Sequence, residues 1–321
     1  MRRPWLIALV VVWALLPFML GRHHVDLLVF AAIYTIAGLG VGLLLGHCGI
    51  VTLAQSVFYA IGAYASAIIT VNLKLPASFG FVAGMIASGV IALALGWPVL
   101  RLTGFFLAVA TLALAMIANA LFYEWDWLTG GTVGIGAIPK LGFYGFVLDT
   151  PITFYYFAWG IAAVAMLLVH NLVAGRTGLA MRGMRDSIDA ARVLAIDVHG
   201  LRVIIFVVSA VLGSVSGSLF AHYTGYVSVA SFTIDKAILF LLIPVLGGVA
   251  SIPGVVVGAL FITFVPELLS KLGDFHGIVF GLALIVVVIA APQGIVGTIE
   301  RWLQRTPAEP LEPASSGEGS K

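Results

Sequence analysis

Apolar residues along this chain fall in long unbroken runs, without the period of 2 or 3.6 that marks a half-buried strand or helix. Five runs carry no Asp, Glu, Lys or Arg: 27–45, 79–100, 102–123, 150–175 and 203–234. About 20 apolar residues suffice for a helix to cross the hydrocarbon core, so each run predicts a transmembrane span. Four shorter stretches broken by Gly and Pro, at 54–71, 236–251, 254–270 and 277–292, predict further spans. The segment Pro4 to Leu20 follows Arg2 and Arg3 like a secretory signal, but it ends in FMLGRHH with no small-x-small cleavage site. It reads as a retained first helix. The expectation is an all-α polytopic membrane protein of about ten transmembrane helices, within a range of eight to ten.

Composition agrees with lipid as the solvent. Of 321 residues 61% are hydrophobic and 9% charged, and the mean hydropathy is +1.14. The formal charge of +2 is spread thinly, which gives no footprint for nucleic acid. Cys48 is the one cysteine, so neither an intramolecular disulfide nor a multi-cysteine metal site is available. Placing the N-terminus in the cytoplasm puts Arg2, Arg3, Arg101, Arg176, Arg182, Arg185, Arg192, Arg202, Arg301, Arg305 and Lys321 inside. Arg22, Lys74, Lys140, Lys236 and Lys271 then lie outside, and the asymmetry predicts both termini inside. An outside connection of about 30 residues joins Tyr123 to Thr153, and an inside loop runs over about 173–202. Residues 1–305 form one transmembrane domain, and 306–321, rich in Pro, Ser, Gly and Glu, read as a disordered cytoplasmic tail. Two Gly/Pro-punctuated regions, 38–64 and 244–260, are weak candidates for an inverted pair.

Chemistry is sparse. The histidines form no HExxH pair, and no catalytic residue or metal site is expected. GSVSGSLFAHY (213–223) sets small residues at Gly213, Gly217 and Ala221 and at Ala210, Ser214 and Ser218, a spacing that suits close helix packing better than a serine nucleophile. TVGIG (132–136) is one letter from a potassium-filter sequence, yet it sits in an outside loop without a pore helix. Glu267 is the best membrane-embedded acid, with an interfacial pair to Lys271 as the simpler reading. Asn119 is the most interior polar side chain of its span, where an interhelical hydrogen bond and a contact with a transported molecule are both open. None of the lysines follows a glycine, so the chain has no Walker A loop. Any nucleotide is used by a partner.

LAMRGMRDSIDAARVLAIDV (179–198) reads as a cytoplasmic amphipathic helix. Met181, Met184, Ile188, Ala191, Ala195 and Val198 make one stripe, and the other faces offer the i,i+4 pairs Arg182/Asp186 and Arg185/Asp189. Two aspartates among the arginines and an Ala-rich stripe favour a groove in another protein over the lipid surface.

With GRTGLAMRGMRDSIDAARVLAIDV stand GLGVGLLLGHCGIVTLAQSVFYAIGAYAS (38–66), LTGFFLAVATLALAMIANALF with WDWLTGGTVGIGAIP (102–139), AHYTGYVSVASF, and LFLLIPVLGGVASIPGVVVGALFITFVPELL (239–269). In collinear order over about 35–298, the chain resembles branched-chain amino-acid ABC permeases of the LivM type. That resemblance implies a permease subunit of an importer in the bacterial inner membrane, moving branched-chain or other hydrophobic amino acids; a urea or short-amide permease and an ion-coupled secondary transporter are the alternatives. It implies a second permease subunit as heterodimer partner, two cytoplasmic ABC ATPases and a periplasmic substrate-binding protein. No cofactor is expected on this chain, and ATP with Mg belongs to the ATPases. Coupling to the ATPases falls to Arg182, Arg185, Asp186, Asp189, Ala191 and Leu194. Gly49, Thr52, Gln55 and Asn119 are candidates for the translocation path, and Glu124, Trp125, Asp126 and Trp127 for docking the binding protein. Where the family has G-Q-x-S-L-G-H, this chain reads Gly49, Ile50, Val51, Thr52, Leu53, Ala54, Gln55. Where it has R-D-N-E-x-A-A-E, the chain reads Arg185 to Arg192 as RDSIDAAR.

Overall fold

A computed structural model of the chain describes residues 13, 15–143, 146–270, 275–291 and 294–298. Apart from Trp13 and residues 15–20, the first predicted helix lies outside the described residues, as do Lys271, Arg301, Arg305 and the tail 306–321. The described chain is helical: α1 (Arg22–Gly42), α2 (Gln55–Val71), α3 (Ala77–Val99), α4 (Phe105–Glu124), the short α5 (Asp126–Thr129), α6 (Pro151–Ala174), α7 (Arg176–Asp186), α8 (Ile188–Val193), α9 (Val198–Thr224), α10 (Ile234–Gly247), α11 (Ile252–Leu269) and α12 (His276–Ala290). A two-residue antiparallel pairing, Gly142–Phe143 with Phe146–Val147, sits in the connection before α6. Among the described residues eight helices are long and apolar enough to cross a membrane, and Gln55–Val71 is a shorter apolar helix.

The uncharged run 203–234 is not one span. Gly225 closes α9 in the left-handed conformation, and Val227 then pairs with Ile135 before a 3-10 turn at Val229–Phe232 leads into α10. Hydropathy cannot see this break because Tyr226 to Phe232 are themselves apolar or neutral.

Burial is inverted relative to a water-soluble bundle. α1 is the central helix, enclosed by α6, α9, α10 and α11, and Ile33, Ile36 and Leu39 are fully buried. By contrast α3, α4 and α6 show Leu93, Phe105, Phe106, Ile117 and Leu168 at the surface, where hydrocarbon is the natural neighbour.

Packing against α9 follows the small-residue spacing. A Cβ on Gly217 would stand 1.8 Å from the carbonyl oxygen of Tyr59, and one on Gly62 would stand 2.0 Å from that of Ser214. Backbones this close need hydrogen in place of a side chain. Ser218 Oγ also donates to the Gly62 carbonyl at 3.0 Å. The serine run is thus helix contact, as its spacing predicts.

The two Gly/Pro-punctuated regions meet. A Cβ on Gly46 would lie 2.0 Å from the Val249 carbonyl oxygen, which brings the end of α1 against the turn between α10 and α11. The 173–202 connection lies on the same face of the bundle.

Candidate functional site

On that face the central helix loses its regularity. α1 runs as an α-helix to Gly42 and then widens into a π turn at Leu43–His47, a geometry that frees backbone carbonyls and recurs at functional sites. Cys48 follows, and Gly49 turns the chain with φ of +68°, a conformation costly for any residue with a Cβ. Ile50 N donates back to the Leu44 carbonyl at 2.9 Å. Leu53 N reaches Thr111 Oγ1 on α4 at 3.1 Å, and the buried Thr52 hydroxyl accepts from Ala54 N at 3.2 Å. The irregular segment is therefore held by named polar groups rather than left open.

Gln55 starts α2 and is buried. Its Nε2 donates to the carbonyls of Ala37 (3.1 Å) and Ser209 (3.2 Å), and its Oε1 accepts from Ser209 Oγ at 3.0 Å. The amide ties α1, α2 and α9 together. Gly49 is exposed nearby, whereas Asn119 is eight residues along α4 from Thr111, about 12 Å at 1.5 Å per residue. Its Nδ2 donates to the Phe232 carbonyl at 3.3 Å, an inter-element hydrogen bond. The structure thus gathers Gly49, Thr52 and Gln55 and leaves Asn119 apart from them.

Against the irregular turn lies the basic segment. α7 packs on the end of α6 and buries Met181 and Met184, the apolar stripe read from the sequence. Arg185 Nη1 donates to the carbonyl of Gly46 inside the π turn, and its methylene stem lies beside Gly49, whose added Cβ would sit 3.2 Å from Arg185 Cγ. The single helix expected over 179–198 is instead two. Ser187 takes an extended conformation, ends α7, and caps α8 by accepting from Ala190 N at 3.2 Å. Among the described residues neither Arg182/Asp186, which lies within α7, nor Arg185/Asp189, which the kink divides, forms an ion pair, and Asp189 bonds Arg192 at 3.3 Å. Ala191 is buried, while Arg182, Asp186, Val193 and Leu194 face outward, Leu194 with 74% of its surface exposed. Ala195 at φ +57° ends the segment. One face of α7–α8 packs on the bundle, and the other carries Asp186, which has no ion pair among the described residues, and the exposed Val193 and Leu194.

The opposite face of the bundle is built from the 125–150 connection. Glu124, Trp125, Asp126 and Trp127 are exposed at the end of α4 and start of α5, Trp127 by 80%. TVGIG is a surface loop whose Ile135 pairs with Val227 in both directions, at 2.8 and 2.9 Å. Three polar pairs on this side escaped the sequence reading: Tyr223 OH donates to Asp26 Oδ1, Lys236 Nζ donates to Tyr34 OH at 2.7 Å, and Glu267 bonds His23 at 2.8 Å. Asp26 and Lys236 fall where runs of apolar residues begin, so they read as boundaries. Lys271, the expected partner of Glu267, lies outside the described residues.

A multi-pass helical bundle with a polar helical segment clamped onto an irregular central helix is the anatomy of a membrane permease. The chain belongs to the family described as the branched-chain amino acid transport system permease component, whose model matches residues 24–288. Among its relatives is the high-affinity branched-chain amino acid transport system permease protein LivM of Escherichia coli (strain K12), 30% identical over 319 residues that cover 91% of this chain and 74% of that protein. The LivH permease protein of the same strain is 25% identical and covers 83% of this chain and 92% of its own length. The autoinducer 2 import system permease protein LsrC of Yersinia pestis (strain Pestoides F) is 24% identical over 88% of this chain and 82% of its own. No solved structure matches the chain.

Proposed function

We propose that the chain is one permease subunit of an inner-membrane ABC importer for branched-chain or other hydrophobic amino acids, paired with a second permease, two cytoplasmic ATPases and a periplasmic binding protein. The substrate class rests on the LivM and LivH relatives. The face carrying α7 and α8 is taken as cytoplasmic: among the described residues it holds Arg101, Arg176, Arg182, Arg185, Arg192 and Arg202, against Arg22, Lys74, Lys140 and Lys236 opposite.

The contact of Arg185 with the Gly46 carbonyl carries the mechanism. ATPase movement felt at Asp186, Asp189 and Leu194 passes through Arg185 to the π turn at Leu43–His47, and from there to Gly49–Gln55 and the centre of the bundle. Two packings of that turn, one facing each side of the membrane, constitute alternating access. The permease supplies a path rather than an energy source, and selectivity falls mainly to the binding protein, docked at Glu124, Trp125, Asp126 and Trp127. Gly49 and Thr52 border the path on the cytoplasmic side.

Replacing Arg185 and Asp186 together by alanine is expected to abolish substrate uptake by the assembled transporter while ATP hydrolysis continues and the chain stays in the membrane. Unchanged uptake in vesicles would remove α7–α8 as the coupling element. Loss of binding-protein association from W125A/W127A, measured by co-purification, tests the outer surface separately; normal association discards it.

A further inference from the structure

The cytoplasmic face has a second polar feature that coupling does not use. A cavity of about 400 Å³ opens between α8, the start of α9 and the connection from α3 to α4, and Arg101, Thr103, Arg192, Asp197, His199 and Arg202 line it. Arg202 is 9% exposed, and its Nε has no hydrogen-bond partner among the described residues; His199 Nε2 is likewise buried and unpartnered. A buried guanidinium nitrogen without a partner is a costly arrangement unless a ligand supplies one.

The acids nearby are already engaged. Asp197 caps α9 by accepting from Gly200 N at 3.0 Å, and Asp189 holds Arg192 at 3.3 Å. The first turn of α9 adds the positive end of a 27-residue helix. Three arginines, Arg101, Arg192 and Arg202, therefore line the open cavity against one aspartate, Asp197.

We infer that this cavity binds a phosphate group, gripped by Arg202 from within and by Arg101 and Arg192 at the rim. Guanidinium forks match phosphate oxygens in geometry as well as charge. An inner-leaflet phospholipid is one source and free phosphate the other. The surroundings favour the lipid: Trp97, edge-on to His199 at a centroid distance of 4.7 Å, is 50% exposed. Exposed aromatic rings beside basic residues mark the headgroup level of a bilayer. A phosphate held here bridges α8 to α9 and stiffens the segment through which the ATPases act.

Native mass spectrometry of the full-length chain, purified in detergent and supplied with phosphatidylglycerol, tests the site. Retained lipid should fall several-fold in R202Q and in the rim pair R101Q/R192Q, while R176Q, outside the cavity, retains the wild-type amount. The rim pair keeps the test decisive if R202Q fails to fold. Displacement of the lipid by millimolar inorganic phosphate at constant ionic strength assigns the site to free phosphate, and resistance assigns it to the lipid; either supports the phosphate site. Equal retention by wild type and the rim pair overturns it, and leaves Arg202 to a carboxylate of a docked protein.

Discussion

Gly217 and Gln55 sit a few residues apart in space on the α2–α9 contact, and their substitution tests two different forces. Valine at 217 must displace a backbone carbonyl only 1.8 Å from its Cβ, an overpacking cost of about 1–3 kcal/mol or more because the obstacle cannot rotate away. Leucine at 55 removes three hydrogen bonds but keeps the volume, and polar contacts between membrane helices average about 0.6 kcal/mol and rarely exceed 2. G217V should therefore lower the thermal midpoint in detergent more than Q55L does, and the reverse order would show that the Gln55 network outweighs backbone approach. Cys48 offers a pH test. It is 3% exposed, and burial pushes its thiol up to about 12. A raised value favours the neutral form, so about one thiol in ten thousand is ionised at pH 8, and the thiolate is the nucleophile. Iodoacetamide should label the folded chain far more slowly than the denatured chain at that pH, with a rate still climbing above pH 9. A plateau near pH 9 would place the thiol in an ordinary solvent environment.

Among the elements, the joint between α7 and α8 is where the proposed coupling route enters the bundle. A continuous helix over 179–198 would present both faces along one axis; the break at Ser187 separates an anchoring piece, with Met181, Met184 and Arg185 turned to the π turn, from a presenting piece, with Val193 and Leu194 outward. L194D should reduce co-purification of the ATPases without changing the amount of chain in the membrane, since the side chain touches little of its own protein. Equal co-purification would exclude α8 from the interface. The stripe of this segment was legible because methionine and alanine recur at helical spacing. Its kink was not, because the serine of RDSID suits a continuous helix as well as a cap on α8. The π turn likewise leaves no mark in GLLLGH, since its Gly46 carbonyl is satisfied by a side chain 139 positions away.

At the scale of the molecule, hydropathy located the membrane helices well because lipid imposes one rule along every long run. It misjudged 203–234, where apolar residues build a surface turn, and it treated Asp26 and Lys236 as edges although each finds a tyrosine partner across the bundle. Arg202 was counted as one more loop cation, whereas the fold buries it. The candidate site was legible as two pieces, the Gly-rich turn and the basic segment; that they touch was not, because contacts across 139 residues depend on how whole helices pack. Charge placement sums these features: among the described residues Arg101, Arg176, Arg182, Arg185, Arg192 and Arg202 lie in or beside α7–α8, and no charged residue stands between Leu27 and Gly46. On the proposed reading, such a bundle depends on partners for energy. Uptake of a labelled branched-chain amino acid into proteoliposomes measures this most directly, with the chain reconstituted alone or with its second permease, ATPases, binding protein and ATP. The account predicts uptake only by the full assembly with ATP; uptake by the chain alone, driven by an ion gradient, would contradict it.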